Sequence, residues 1–489
     1  MGNYLSSFSS AAGRKRNLSQ AELDDADEID ARRSVKRRKL KSTSDYIYQQ
    51  LFVNGENSDV TICALGHEWA LHKIYICQSG FFSCMFNGSW KESSLNHIQM
   101  HIPDEFVTQE ALTVAFGSFY RDEILIDPST VESLLATASL LNLDHLIQQC
   151  ADVMLENINM DTVCTYYTTG RLYGAKDVPE KCIKYLQATL MPTMTVQLLR
   201  AIDPELMMKL IESVDLFVLQ VEMDVYSLLR KWLFLRLNPN YEGSIKDLVQ
   251  DTDTFIKSEM ANNWKPSFLE TSHADPYIEV FKKLRLEHIL TDHSSAQILE
   301  SDRILPNVWL LNCYRSQWLH LLRLDNGQDI GPKDVDVEIF DKKSMRCGRK
   351  LDMEGQYCWR WTGFNYGIDI VVSCLNRRIL LKRNIPSGNC HSVVAPQPRK
   401  YFVYRLTVVD ASHPNQPLFT QTTGIKHQNL QKNEEVCVLT VDQDISFPIY
   451  ISCNFLLYTP HPDAPKVPHV ADVAAAGINS HQPLLRMIQ

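Results

Sequence analysis

The sequence lacks the basic excess that a polyanion partner would need. Lys and Arg number 49 against 58 Asp and Glu, a formal net charge of −9 over 489 residues. A general nucleic-acid coat needs the opposite balance, so no direct nucleic-acid partner is expected. No run approaches the ~18 consecutive apolar residues of a spanning helix. No apolar N-terminal stretch leads to a cleavage site, so no secretory leader is expected. These absences lead us to expect a soluble, intracellular chain. The thirteen cysteines are odd in number, and none sits in a C-x-x-C pair. In a reducing compartment they read as small buried hydrophobes, not as a disulfide frame or zinc site. Also missing are a Walker loop, G-x-G-x-x-G, G-x-S-x-G, H-E-x-x-H and a RING-type cysteine spacing. His97 and His101 lie four apart on a strand-like segment, where that spacing is a shared face and not a metal clamp. No cofactor is implied, and a chain without its own catalytic centre is expected.

What is present supports folding. Apolar residues make up 45% and charged residues 22%, enough for packed cores. At roughly 150 residues per domain the length allows about three domains. Residues 1–43 form an arm expected to be disordered, because Ser, Ala and charge dominate it. Within it Glu22, Asp24, Asp25, Asp27, Glu28 and Asp30 precede a run with no acid: Arg32, Arg33, Lys36, Arg37, Arg38, Lys39 and Lys41. An unpaired basic run in a flexible arm suits a nuclear import receptor, and a plain solvated run is the alternative. Met1-Gly2-Asn3-Tyr4-Leu5-Ser6 fits the template for myristoylation at Gly2. One acyl chain binds membrane only marginally, so the basic run would have to act as the second signal.

Regular patterning begins near residue 44. Asp59 to Cys63 alternates as a strand, Leu65-Gly66-His67 turns, and Glu68-Trp69-Ala70 returns. Ser79 to Met85-Phe86 is a dense apolar helix, and His97 to Ile102 alternates again. Ser129 and Glu132 have the spacing of a capping box ahead of Leu134, Leu135, Ala138, Leu141 and Leu143. Helices follow without a linker. Asp177 before Pro179 and Asp203 before Pro204 read as caps with Pro in the first turn. From about 335 the pattern turns to strands: 335–339, 357–361, 368–372, 379–381, 401–409, 436–439 and 449–457. Short strands at close spacing predict an antiparallel sandwich or barrel. No repeat of ~50 residues is present, so a kelch propeller is not expected.

Asp59-Val60-Thr61, Ala70-Leu71-His72-Lys73, Ser79 to Phe86 and Val131 to Cys150 resemble a BTB (POZ) domain over roughly 46–150. The helices of about 150–250 resemble the BACK module. The Met1-Gly2-Asn3 start, the basic arm, this pair of modules and a non-kelch tail with Cys358-Trp359-Arg360-Trp361-Thr362-Gly363-Phe364-Asn365-Tyr366-Gly367 together resemble the germ cell-less family. The resemblance implies an α+β multidomain chain. Its expected parts are the arm at 1–43, a BTB/POZ fold at 44–150, a helical BACK domain at 151–260, a mainly antiparallel β C-terminal domain at 261–458 and a flexible tail at 459–489.

The resemblance also implies a function. It predicts a BTB homodimer that binds cullin-3 and holds an unidentified protein substrate for ubiquitylation. The setting would be the nucleus or nuclear envelope, in germ-cell development and spermatogenesis. A nuclear scaffold or transcriptional co-regulator without ligase activity is the alternative. Carried over residue by residue, the dimer pocket falls on Asp59 and Lys73. The cullin surface falls on Met85, Phe86, Trp90 and Glu92, with Tyr120 as a neighbouring aromatic that is more often core than contact. Trp90 can instead pack on its own domain. Substrate contact is expected of Trp359, Arg360, Trp361, Phe364 and Tyr366, which are hot-spot residue types. Trp359 and Trp361 share one strand face and suit a core as well, with Arg360 on the other face.

Overall fold

The structure is a computed structural model that describes residues 43–88, 91–262, 267–326, 331–362, 369–383, 399–412, 419–431 and 434–459. The chain divides into two compact units, one formed by residues up to 102 with 113–124, the other by 103–112 with 125 onward.

The first unit opens with α1 (Thr43–Ile47), which continues as a π-helical turn, Tyr48–Val53. Strands β1 (Val60–Ala64) and β2 (His67–Leu71) form an antiparallel hairpin, and β3 (His97–Gln99) lies parallel to β1. The hairpin turn places Leu65 and Gly66 at φ +50° and +77°, the geometry of a tight two-residue connection. Val60, Ile62, Ala64, Trp69, Leu71 and Ile98 are buried on one sheet face. Two short helices follow the hairpin, α2 (Lys73–Ile76) and α3 (Gly80–Asn87). Ser79 caps α3 by accepting the Phe82 N–H. Phe82, fully buried, meets Phe116 at 6.0 Å between ring centroids. Phe116 lies on α4 (Gln109–Gly117) and also contacts Trp69 edge-on at 5.2 Å.

The second unit begins with helices α5 (Val131–Leu140), α6 (Asp144–Glu156), α7 (Val163–Tyr173) and α8 (Asp177–Thr189). Next come α9 (Val196–Ala201), α10 (Pro204–Glu212), α11 (Met223–Leu237) and α12 (Leu248–Asn262). The predicted apolar face of α5 is buried as expected, Leu134, Leu135 and Ala138 included. Its capping box does not form. Asp127 takes the Ser129 N–H and hydroxyl at 2.9 and 2.8 Å, and no side chain caps α5. These hydrogen bonds hold the Asp127 carboxyl below its usual range. Asp177 is likewise not a cap but the first residue of α8, where an acid meets the positive end of the helix dipole. Asp203 caps α10 as predicted, accepting the Leu206 N–H at 2.7 Å with Pro204 opening the helix. Helix α11 is buried nearly all round, from Val225 to Leu235, so it is the centre of the helical layer.

Helices continue past residue 260: α13 (Asp275–Lys282), α14 (Leu286–Ile289), α15 (His293–Asp302), α16 (Asn307–Asp325) and α17 (Val337–Lys343). Segment 335–339, read as a strand, holds instead the cap residue Asp336 and the first three residues of α17. Asp336 accepts the Ile339 N–H at 2.7 Å and nucleates a helix where alternation suggested a strand.

Two antiparallel sheets complete the unit. One has the order β10 (Lys426–Gln431), β8 (Arg399–Asp410), β12 (Ile449–Leu457), β4 (Met345–Leu351), with β9 (Thr420–Thr422) also on β8. The other has the order β11 (Glu435–Thr440), β7 (Arg378–Arg383), β6 (Asp369–Leu375), β5 (Tyr357–Thr362). Residues of both sheets form one core, as the sandwich expectation required. Strand β12 is buried on both faces. Ile449, Ile451, Cys453 and Phe455 enter the core between the sheets. Tyr450 and Asn454, on its other face, meet the connector 213–222, through the Phe217 ring at 5.0 Å and the Val214 carbonyl at 3.0 Å.

That connector also carries Glu222, which with Arg346 makes an ion pair of 2.8 Å whose side chains are both fully buried. Arg346 gives Nε–H and Nη2–H to the carboxylate, and Nη1 to the carbonyls of Ile211 and Ser213. Burial alone would raise the Glu222 carboxyl, but the guanidinium beside it holds it below its usual range. Two residues further on, the β4 backbone approaches the connector so closely that a Cβ on Gly348 would lie 1.7 Å from the Val218 carbonyl oxygen. Glycine at 348 is therefore a condition of the packing.

Candidate functional site

The expected cullin surface is built on α3. The helix buries Phe82 and leaves Met85 and Phe86 half-buried and Cys84 exposed. The Lys73 ammonium lies 5.1 Å from the centroid of the Phe86 ring, a cation–π distance. Trp90 lies outside the described residues. Glu92 falls in a 3₁₀ turn, Lys91–Ser94. Asp59 and Lys73 are brought together, though through the backbone: Asp59 Oδ1 accepts the Lys73 N–H at 2.8 Å and so supplies the cap that α2 lacks from its own chain start.

Tyr120 is packed into its own unit, the core placement that its residue type also suited. It is 3% exposed, stacks on Tyr75 at 4.6 Å and spends its hydroxyl on His72. The His72 ring fixes that network. Its Nε2 is 2.8 Å from the Glu56 carbonyl, which can only accept, so Nε2 carries the proton. Nδ1 is then the acceptor for the Tyr120 hydroxyl at 3.1 Å, and that oxygen accepts the His72 N–H at 3.0 Å. Burial pushes the Tyr120 phenol up to about 12, which keeps it a donor.

In the second unit, Trp359 and Trp361 are core residues, 9% and 2% exposed. Their rings meet edge-on at 5.6 Å, and Trp361 Nε1–H donates to the Gly348 carbonyl. Strand alternation sends both indoles between the sheets and Arg360 outward, which is the core alternative for this strand. Phe364 and Tyr366 lie outside the described residues, as do Gly2 and the run Arg32, Arg33, Lys36, Arg37, Arg38 and Lys39.

The sequence reading missed the concave surface of this unit. A groove of about 810 Å³ runs between α6 and α8 on one side and β8, β9 and β12 on the other. Tyr185, Ala188, Phe217, Val409 and Tyr450 make its floor and walls mainly apolar. Lys181 and Lys184 stand exposed at its rim, while Arg405 is tied to Asp215 at 2.6 Å. No sequence signal marks it, because its two sides are more than two hundred residues apart.

Twelve cysteines lie among the described residues, and none is in a disulfide. Burial pushes the thiols of Cys150, Cys164, Cys182 and Cys313 up to about 12, so they are neutral packing groups as expected. Cys84 and Cys358 are exposed instead. No helix among the described residues is long and apolar enough to cross a membrane.

The small three-stranded sheet, the α3 surface and the helices that follow are those of a BTB/POZ protein, and residues 48–158 match the BTB/POZ domain family. The likeness extends much further. Over 426 residues, 87% of this chain and 83% of the relative, it is 48% identical to Germ cell-less protein-like 1 of Homo sapiens. It is 38% identical to Protein germ cell-less of Drosophila melanogaster over 484 residues, 94% and 84% of the two chains. The chain belongs to the germ cell-less family. Kelch repeat and BTB domain-containing protein 2 of Homo sapiens is similar over 149 residues only, 30% of this chain, at 24% identity.

Proposed function

We propose that this protein is the substrate-recognition adaptor of a cullin-3 ubiquitin ligase, working at the nucleus in germ-cell development. The observation that carries the reading is α3: Met85 and Phe86 are half-buried on its surface, and Trp90-Lys91-Glu92 follows directly. A large aromatic anchor beside an acid is a combination that binding hot spots favour. The first unit would homodimerise through the Asp59–Lys73 region, and the helices after 150 would act as the BACK module. A dimer presents two substrate-binding surfaces, so avidity compensates for weak individual contacts. The chain would be a non-catalytic adaptor, with ubiquitin transfer supplied by the cullin-linked machinery. The basic run at 32–39 would be read by an import receptor. Acylation at Gly2, with that run as second signal, would add membrane contact at the nuclear envelope.

The test is capture of cullin-3 by the full chain and by Trp90→Ala/Glu92→Ala, with the dimer checked by light scattering. Capture by wild type and its loss in an intact dimeric variant are expected. If wild type captures no cullin-3, the ligase reading fails and the BTB scaffold without a ligase takes its place.

A further inference from the structure

The outer face of the first unit's sheet gathers three metal-ligand side chains from three strands. Cys63 on β1 pairs with Glu68 on β2. His97 on β3 pairs with Thr61, two residues before Cys63. Strand residues two apart share a face, so Cys63, Glu68 and His97 stand on the side away from Ile62, Trp69 and Ile98. Their ligand atoms all lie within 4.8 Å of one another. Cys63 is only 6% exposed, although its face is the outward one, while Glu68 and His97 are exposed.

The separation of the sulfur and the imidazole nitrogen fits one shared ion. Zn–S of about 2.3 Å and Zn–N of about 2.0–2.1 Å at a tetrahedral angle put sulfur and nitrogen about 3.6 Å apart. Here Cys63 Sγ is 3.5 Å from His97 Nε2 and 3.8 Å from Nδ1. The exposed His97 ring can turn either nitrogen to a cation. A thiolate, an imidazole and a carboxylate form a borderline-soft set that favours zinc over magnesium or calcium. We propose that Cys63, Glu68 and His97 bind a zinc ion on the outer face of the small sheet, with water in the fourth position. On binding, the Cys63 S–H bond breaks, a Zn–S bond forms and the proton passes to solvent. The site escaped the sequence reading because its ligands have no short spacing. Cys63 and His97 are 34 residues apart and meet only through the parallel β1–β3 pairing.

The experiment uses the full chain, prepared without chelator and assayed for metal by mass spectrometry, then stripped and titrated with Co²⁺. Expected are about one zinc per chain and, with cobalt, a thiolate-to-metal charge-transfer band in the near ultraviolet. Cys63→Ser should abolish the band. His97→Gln and Glu68→Gln, both at exposed positions, should weaken cobalt binding by about tenfold or more with the circular dichroism unchanged. These two variants keep the test decisive if Cys63→Ser does not fold. A wild-type chain with neither zinc nor a cobalt band overturns the proposal, and so does a band that survives in folded Cys63→Ser or has equal affinity in His97→Gln.

Discussion

Asp59 and Lys73, in the first unit, and Glu222 and Arg346, in the second, are two acid–base pairs in opposite environments. Asp59 is exposed and Lys73 partly so, and their contact is a carboxylate on a backbone amide. Glu222 and Arg346 are fully buried and joined through both side chains. The first pair was named through the family resemblance, and its two residues, fourteen apart in the chain, flank the β1–β2 hairpin. The second joins residues 124 apart and has no local signal. The difference teaches where stability and recognition are placed. The exposed pair remains accessible to a partner, whereas the buried pair fastens the helical connector to β4 and has no group left for one.

The largest expected effect follows from unbalancing the buried pair. Glu222→Gln strands the Arg346 charge and should destabilise the second unit by about 3–5 kcal/mol. Hydrogen exchange of peptides covering β4 should show it as faster opening. Adding Arg346→Met should recover part of the loss, and a double variant as weak as the single one would show that the charge pairing is not what matters. The same pair sets a pH dependence. Because the folded Glu222 carboxyl lies below its ordinary value of 4.5, its contribution is complete above the unfolded pKa and is lost as pH falls through the folded one. Urea midpoints of wild type should therefore fall on acidification below about 4.5 more steeply than those of the double variant.

A smaller loss is expected in the first unit from Tyr120→Phe, which removes the partner of the His72 N–H and Nδ1. Leaving those groups unsatisfied should cost about 1–3 kcal/mol, measurable as a shift in thermal unfolding. If cullin-3 capture falls while stability does not, Tyr120 is a contact residue after all. The smallest effect belongs to the exposed pair. Asp59→Ala removes the surrogate cap of α2 and should cost about 1 kcal/mol or less. A larger loss, or dissociation of the dimer, would show that a second copy buries this pair.

Much of the local structure was readable from side-chain type and spacing. The β1–β2 hairpin, the Asp203-Pro204 helix start, the apolar face of α5 and the β6, β7, β8, β11 and β12 segments depend on alternation, caps and turns that act over a few residues. The failures share a cause. Ser129 and Glu132 have capping-box spacing, but Asp127 takes the Ser129 donors first. Val335 to Ile339 alternates, but Asp336 starts a helix. Strand β4 was missed because Arg346 and Gly348 are poor strand signals until Glu222 and the Val218 backbone are beside them. Trp359, Arg360 and Trp361 are hot-spot types, yet two of the three face a core that only the second sheet creates.

The sequence alone determined the elements whose forces are local: the acidic balance, the hairpin, the periodic helices, the short strands and the order of these parts along the chain. Tertiary structure decided which polar groups were buried, which aromatic residues became core, and which distant side chains met. Burial and charge pairing depend on the solvent that remains around a group, and that is known only once segments far apart in the chain have closed over it.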